Sequence, residues 1–170
     1  MDIYKILKFN NYIKNHRIKF LGLWLLSVLN KRYLSIQLDP VLACNLRCKM
    51  CYFSDPDFVR KNMKGQMKEE DLDILAKTFF KNALKLQIGC GAEPTLFKHN
   101  VKLINIAKAH NVPYISMVTN GNLLERKDIA DLAVAGLDEI ILSMHGVTKE
   151  RYEDLMDKGD YEKFHGVLQS

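Results

Sequence analysis

Residues 34–42, LSIQLDPVL, lead almost directly into residues 44–51, CNLRCKMC, and this junction decides the fold. The first stretch alternates apolar and polar residues, which predicts a β-strand that ends at a loop. The loop carries three of the chain's four cysteines, at the spacing C-x3-C-x2-C. Thiolates are soft ligands that select zinc, copper(I) or iron–sulfur clusters. The junction therefore predicts a strand whose carboxyl end leads into a metal centre.

Strand and helix patterns alternate along the rest of the chain at intervals of about 30 residues. Such alternation indicates right-handed β-α-β units and a parallel sheet, so the predicted fold class is α/β, a partial parallel β/α barrel. Residues 55–67 are polar and contain proline and glycine, which predicts a loop. The predicted strands are 34–42, 83–90, 113–121 and 138–146, and the predicted helices are 68–80, 98–110, 125–136 and 149–168, the last broken near Gly159.

Each predicted strand ends in polar or glycine-rich sequence. In parallel β/α sheets the chemistry lies beyond the carboxyl ends of the strands, so these four ends are the candidate site. The sequences there are CNLRCKMC (44–51), GCGAEP (89–94), TNG (119–121) and SMHG (143–146).

The first 33 residues have a helical pattern, in two segments that meet near Asn15 and His16. We therefore divide the chain into an N-terminal helical segment, 1–33, and a β/α core, 34–170. The most apolar run, IKFLGLWLLSVL at 18–29, is shorter than the roughly 20 residues that a bilayer requires. We expect it to pack on the core. The alternative is a peripheral membrane contact through residues 1–33, with a helix lying at the interface.

Composition places the chain among ordinary folded proteins. Its 170 residues are 48% hydrophobic and 26% charged, enough for one domain with a real core. The net charge of +5 is explained by solvated helix faces, and no stripe of basic and aromatic residues indicates nucleic-acid binding. No export signal is evident, so we expect a reducing, cytoplasmic location, where clustered cysteines more often hold metal than form disulfides.

The cysteine spacing leaves two kinds of metal centre open. A structural zinc site needs four protein ligands, and the remaining cysteine, Cys90, would have to be the fourth. A [4Fe–4S] cluster held by three cysteines instead leaves one iron open, where a small molecule can bind.

The loop C-x3-C-x2-C after the first strand of a β/α sheet resembles that of the radical S-adenosylmethionine (SAM) enzymes. The resemblance implies that Cys44, Cys48 and Cys51 ligate a [4Fe–4S] cluster and that SAM chelates the fourth iron. It further implies reductive cleavage of SAM to methionine and a 5′-deoxyadenosyl radical, which abstracts hydrogen from a substrate. An electron donor such as flavodoxin or ferredoxin is implied as a partner. The substrate is a peptide, a protein or a small molecule, and no further catalytic residue is assigned.

The second strand end supports the same resemblance. Gly91-Ala92-Glu93-Pro94 is similar to the family's G-G-E-P motif, in which the backbone and the glutamate contact the SAM amino group. Alanine replaces the second glycine, but it keeps most backbone conformations with negative φ. The resemblance therefore implies that Glu93 binds the SAM ammonium group or shapes the loop.

Five further residues are candidate SAM contacts by resemblance. Thr119 and Asn120 belong to a T-N-G sequence common in the subgroup that carries an additional cluster domain called SPASM. Ser143 matches a position that often meets the SAM ribose. Met50 and Tyr52 flank the third cysteine, where the family often has an aromatic residue against the adenine.

Two other residues near the strand ends have simpler expected roles. We expect Cys90 to be a small buried residue of the core. His145 is expected to be an exposed turn residue.

The resemblance covers residues 34–170 and four β-α units, whereas the family's core has six. We expect the sequence to be the leading part of a longer enzyme, because an unpaired edge of a parallel sheet is normally covered. The alternatives are a complete short protein and a non-catalytic iron–sulfur or zinc fragment used for structure or electron transfer.

Overall fold

Four parallel strands form one sheet in the computed structural model, which describes residues 12–169. Their order along the sheet is β1-β2-β3-β4, so consecutive strands are neighbours. The predicted α/β fold is therefore confirmed. The strands are β1 (Leu34–Leu38), β2 (Ala83–Ile88), β3 (Ile115–Thr119) and β4 (Glu139–Leu142). Each ends a few residues earlier than the sequence predicts, because the polar residues at its carboxyl end enter a loop.

Helices connect the strands as the alternation predicts. The helices are α1 (His16–Val28), α2 (Pro56–Asn62), α3 (Glu69–Phe79), α4 (Asn100–Ala109), α5 (Arg126–Ala135), α6 (Lys149–Leu155) and α7 (Tyr161–Leu168). The break between α6 and α7 contains Gly159, as predicted.

The prediction of a loop over residues 55–67 is wrong, because α2 lies within it. Asp55 caps this helix: its side chain accepts hydrogen bonds from the backbone N–H groups of Asp57 and Phe58. Pro56 occupies the first turn, where its fixed φ and missing N–H suit a helix start. Pro56, which the sequence analysis took as a loop signal, thus begins a helix.

The N-terminal segment contains α1, which begins at the predicted junction. The Asn15 side chain accepts a hydrogen bond of 2.9 Å from the backbone N–H of Arg17 and caps the helix. The first predicted helical segment falls largely on residues 1–11, outside the described residues. The expected packing of the apolar run is not observed, since none of the residues of α1 is buried. None of the helices between residues 12 and 169 combines the length and apolar composition that crossing a membrane requires.

One hydrophobic core lies between the sheet and helices α3, α4 and α5. Leu72 and Ala76, four residues apart on one face of α3, are both fully buried. Helix α4 buries a similar face, and β2 and β3 supply the apolar side chains of the sheet. The remaining fully buried members of this core include Phe80, Leu86, Ile88, Leu103, Ile104, Ala107, Ile115 and Met117.

A second, smaller core lies beneath the cysteine loop. It consists of Leu46, Tyr152, Met156 and Phe164, so helices α6 and α7 pack against the loop that follows β1. The rings of Tyr152 and Phe164 have centroids 5.0 Å apart. Cys44 and Cys48 pack against this cluster, which therefore supports two of the three sulfur ligands predicted from sequence.

The end of β2 depends on a glycine. Gly89 has φ +81°, and a Cβ there would lie 2.3 Å from the carbonyl oxygen of Val118. We expect Gly89→Ala to lower the free energy of unfolding by about 2–4 kcal/mol, from backbone strain and overpacking. Gly166→Ala in α7 is the matched control, because nothing lies within 4 Å of its added methyl group. It should instead stabilise by about 0.5–1 kcal/mol. Urea unfolding measures both changes in stability. Equal unfolding midpoints for the two variants would contradict the conclusion that the end of β2 requires glycine at position 89.

Candidate functional site

The carboxyl ends of the four strands surround one pocket of about 260 Å³. It collects most of the residues that the sequence analysis selected, from all four strand ends. Tyr52 and Pro94 are the two selected residues that do not line it. The selected residues that do are Cys44, Cys48, Met50, Cys51, Gly91, Ala92, Glu93, Thr119, Asn120 and Ser143.

The cysteine loop is shaped by hydrogen bonds to its own sulfur atoms. The backbone N–H of Leu46 donates to Cys44 Sγ at 3.4 Å, and that of Phe53 donates to Cys51 Sγ at 3.5 Å. Leu46 and Phe53 are themselves buried, so each of these two amides is held in place beside its sulfur. Hydrogen bonds of this kind stabilise sulfur in its thiolate form.

The same loop pairs with the segment that joins α6 to α7. The backbone N–H groups of Arg47 and Lys49 donate to the carbonyl oxygens of Asp157 and Leu155, both at 2.9 Å. Lys49 also forms an exposed ion pair with Asp154. The sequence analysis did not detect this support, because it depends on contacts between segments about 100 residues apart in the chain.

Two of the three thiols, those of Cys44 and Cys48, lie in an environment that disfavours their charged form. Burial, and then the neighbouring Cys44 and Cys51 charges, raise the pKa of Cys48 to about 11. Burial is also the largest cause of the raised pKa of Cys44. Three thiolates this close together need a compensating positive centre, and iron or zinc supplies one.

The number and kind of donors in the pocket fit a cluster better than a single zinc ion. Zinc requires four donors at about 2.0–2.3 Å from one point. Among residues 12–169, no group of three or more histidine, cysteine, aspartate or glutamate side chains is arranged to hold a single metal ion. In a [4Fe–4S] cluster each cysteine binds a different iron, so the ligands surround a volume. Three half-buried thiols line one pocket, which is the number and kind of protein ligand that such a cluster uses.

Glu93 is a buried carboxylate that joins the ends of β2 and β3. Its exposed fraction is 2%. Its Oε1 atom accepts hydrogen bonds from the backbone N–H and the hydroxyl of Thr95 and from the hydroxyl of Thr119, and its Oε2 atom accepts one from the backbone N–H of Asn120. These bonds show that Glu93 shapes the loop. Its contact with the SAM ammonium group stays a prediction.

Asp39 is a site residue that the sequence analysis missed. Its carboxylate accepts hydrogen bonds from three successive backbone amides after β2, those of Cys90 at 2.7 Å, Gly91 at 3.1 Å and Ala92 at 3.3 Å. Asp39 directly follows β1. Its position, as a polar residue at the carboxyl end of a strand, was the sequence signal that could have identified Asp39 as a site residue. The side chain fixes the loop Gly91–Glu93 relative to the cysteine loop.

Asn120 links the third strand end to the cysteine loop. Its amide Nδ2 donates to Asn45 Oδ1 at 2.9 Å, and its Oδ1 accepts from the backbone N–H of Asn122. The backbone N–H of Ser143 donates to the carbonyl oxygen of Thr119, which brings the fourth strand end to the same edge. Direct contacts of Thr119, Asn120 and Ser143 with SAM stay predictions.

Met50 and Tyr52, the residues on either side of the third cysteine, face different surroundings. Met50 is about half exposed and lines the pocket, where a flexible side chain can cover a ring. The ring of Tyr52 packs edge to face on Phe58 of α2. Its hydroxyl lies beside Gly91, where an added Cβ would be 2.2 Å away. The absence of a side chain at Gly91 thus makes room for Tyr52.

Cys90 is not the buried core residue that the sequence analysis expected. Its side chain is exposed, because the loop that Asp39 holds turns it away from the core. Pro94 packs against Gly89 and begins a short 3-10 turn, outside the pocket wall. His145 is exposed at the pocket edge, which agrees with the expected turn position.

Comparison with known proteins identifies the family. Residues 39–169 match the family model of the radical SAM superfamily. A probable GTP 3′,8-cyclase of Methanocaldococcus jannaschii is 32% identical over 130 residues, which are 76% of this chain and 42% of that protein. A probable GTP 3′,8-cyclase of Saccharolobus solfataricus is 33% identical over 117 residues, which are 66% of this chain and 35% of that protein. The chain thus spans less than half the length of these relatives.

Solved structures agree on the fold. The structure titled "Native anSMEcpe with bound AdoMet" superposes with a TM-score of 0.66 at 24% identity, over 81% of this chain and 40% of that one. The family implies a [4Fe–4S] cluster and SAM as cofactors, and the donor set of the pocket fits them. Because the family model matches residues 39–169, which are most of the chain, the chain belongs to the radical SAM superfamily.

Proposed function

We propose that this chain forms the cluster- and SAM-binding part of a radical SAM enzyme that works in a reducing cytoplasm. The observation that carries the proposal is the shared pocket, in which the three thiols of the C-x3-C-x2-C loop face the Gly91–Glu93 loop. All four cysteines are free thiols, which agrees with a reducing compartment.

The residues of the pocket have distinct proposed roles. Cys44, Cys48 and Cys51 would each bind one iron, and SAM would take the fourth. When bound, this cofactor pair would supply one-electron reductive cleavage of SAM to methionine and a 5′-deoxyadenosyl radical, which would abstract hydrogen from a substrate. A flavodoxin or ferredoxin is the proposed source of the electron.

The remaining pocket residues would orient SAM. The backbone of Gly91 and Ala92, held by Asp39, would receive the amino acid end of SAM beside Glu93. Met50 would cover the adenine, since it lies on the pocket wall and is adaptable in shape. The hydroxyl of Ser143 and the side chains of Thr119 and Asn120 are proposed contacts at the opposite edge.

Two subgroups of the superfamily, each with its own kind of substrate, are candidates for this chain. Thr119-Asn120-Gly121 supports the SPASM subgroup, which acts on peptides, proteins or small molecules. The identity of about a third to probable GTP 3′,8-cyclases supports a nucleotide substrate instead. Added GTP distinguishes them: increased formation of 5′-deoxyadenosine with GTP would favour a cyclase-like enzyme, and no response would favour the SPASM candidate.

Anaerobic reconstitution tests the proposed function. The full chain is loaded with iron and sulfide, its metal and sulfide contents are measured, and SAM is added with a chemical reductant. We expect four irons and four sulfides per chain, SAM binding, and 5′-deoxyadenosine as a product. Full cluster content without SAM binding or cleavage would favour the non-catalytic iron–sulfur alternative.

Asp39 gives a prediction about SAM affinity. Asp39→Ala removes the acceptor of three amides in the loop after β2, so that loop loses its orientation. We expect SAM to bind about tenfold more weakly, which corresponds to about 1.4 kcal/mol. Isothermal titration of the reconstituted protein measures the change. Iron content should be unaffected, because Asp39 contacts none of the three proposed ligands.

Asp138→Ala is the matched control for Asp39. Asp138 also accepts a backbone N–H, that of Ile115 at 2.7 Å, but at the amino end of β3 and away from the pocket. We expect its loss to lower stability and to leave SAM affinity unchanged. Equal losses of SAM affinity in the two variants would show that Asp39 acts only through general stability.

A further inference from the structure

Helix α1 presents an apolar face to solvent. Two adjacent rows of side chains, each with a spacing of four residues, form this face on the helix and its C-terminal cap. Their exposed fractions lie between 51% and 70%. We call these residues the apolar face of α1: Phe20, Leu21, Trp24, Leu25, Val28 and Leu29.

The apolar face needs a partner. Scattered exposed apolar residues are normal on protein surfaces, but a contiguous apolar patch marks an interaction site. Here six large apolar side chains are contiguous, and none of the residues of α1 is buried against the other parts of residues 12–169. Packing within the described residues therefore does not account for this surface.

Positive charge flanks the apolar face at both ends. Lys14 and Arg17 precede it and Lys31 follows it, and all three are exposed. The sequence contains no aspartate or glutamate from residue 3 to residue 38. An apolar centre with cationic ends complements a surface that has an apolar interior and an anionic rim.

The length of α1 limits how it can meet such a surface. Its 13 residues extend about 20 Å, less than the roughly 30 Å hydrocarbon core of a bilayer. A helix of this length can lie in the interface, with its apolar side chains in the acyl region and its cationic side chains at the headgroups. Trp24 and Phe20 are aromatic residues of the kind that interfacial segments favour.

We propose that α1 is a membrane-surface anchor that inserts its apolar face into bilayers containing anionic lipid. A second copy of this chain would bring basic ends against basic ends. Anionic lipid satisfies both the width of the apolar face and the charge at its ends. The proposal assigns a partner to the segment outside the β/α core.

The chain contains a built-in reporter for this proposal, because Trp24 is its only tryptophan. The full chain is mixed with vesicles of phosphatidylcholine alone or of phosphatidylcholine with phosphatidylserine, at low and high salt. We expect co-sedimentation with the anionic vesicles and a blue shift of Trp24 emission. Part of the binding should survive high salt, since salt screens charge attraction but not apolar insertion.

Variants separate the apolar and electrostatic contributions. Leu21→Gln with Leu25→Gln should abolish the blue shift and the salt-resistant binding. Lys14→Gln and Arg17→Gln should each weaken binding to anionic vesicles about fivefold. Val134→Gln is the control, because Val134 is 90% exposed on α5 and lies outside the apolar face.

Two results would overturn the proposal. The first is a chain that neither sediments with anionic vesicles nor changes its Trp24 emission. The second is concentration-dependent self-association in sedimentation velocity that the Leu21→Gln, Leu25→Gln double variant abolishes, with no vesicle binding. That result would assign the apolar face to a second copy of the chain.

Discussion

Serine at position 44, 48 or 51 is expected to remove the iron–sulfur cluster. Each of the three thiols lines the pocket, and a three-cysteine site has no spare protein ligand. A serine hydroxyl is a harder and less acidic donor than a thiol, so it binds iron poorly at neutral pH. We expect the iron and sulfide retained after reconstitution and desalting to fall to near background in Cys44→Ser, Cys48→Ser and Cys51→Ser, and 5′-deoxyadenosine formation to stop.

Cys90→Ser is the matched control for this series. Cys90 also borders the pocket, but it is exposed and belongs to the loop that Asp39 holds. The variant should keep the full iron and sulfide content of the parent chain. Loss of the cluster in Cys90→Ser would instead support four cysteine ligands, and with them the structural metal site considered from the sequence.

Glu93→Gln is expected to be strongly destabilising although the two side chains have the same shape. If the new amide nitrogen replaces Oε2, it opposes the backbone N–H of Asn120. If it replaces Oε1, it opposes the backbone N–H of Thr95. Either orientation leaves one backbone N–H group, buried at Asn120 or partly buried at Thr95, without an acceptor and removes charge-assisted bonds. We expect the free energy of unfolding to fall by about 2–4 kcal/mol, measured by urea unfolding.

The control for Glu93 is Glu70→Gln in the first turn of α3. Glu70 is exposed, so the substitution removes only its weak interaction with the helix dipole. The free energy of unfolding should fall by about 0.5 kcal/mol or less. An unchanged unfolding midpoint in Glu93→Gln would show that the carboxylate does not hold the ends of β2 and β3 together.

The sequence was sufficient for the parts of the fold that depend on local pattern. Apolar runs and helical periodicity located all four strands and helices α3 to α7, because these patterns lie within short stretches of the sequence. The cysteine motif identified the pocket, because three thiols within eight residues have few structural explanations. Parallel topology then followed from the repeated alternation.

Other features depend on contacts that a single sequence does not display. Asp39 contacts a loop some 50 residues later in the chain, and its role depends on the register of β1 against β2. The exposure of Cys90 follows from that contact. Helix α2 was missed for a local reason: Asp55 and Pro56 are common both in loops and at helix starts.

The support of the cysteine loop by α6 and α7 has a consequence for biosynthesis. The amides of Arg47 and Lys49 find their acceptors only at Asp157 and Leu155, and the loop rests on Phe164 and its neighbours. A nascent chain that has emerged only as far as β3 contains the three cysteines of the loop but lacks these supports. The loop therefore acquires its final shape only after the α6 and α7 segments have left the ribosome. We therefore expect ordered loading of iron to follow synthesis of this region.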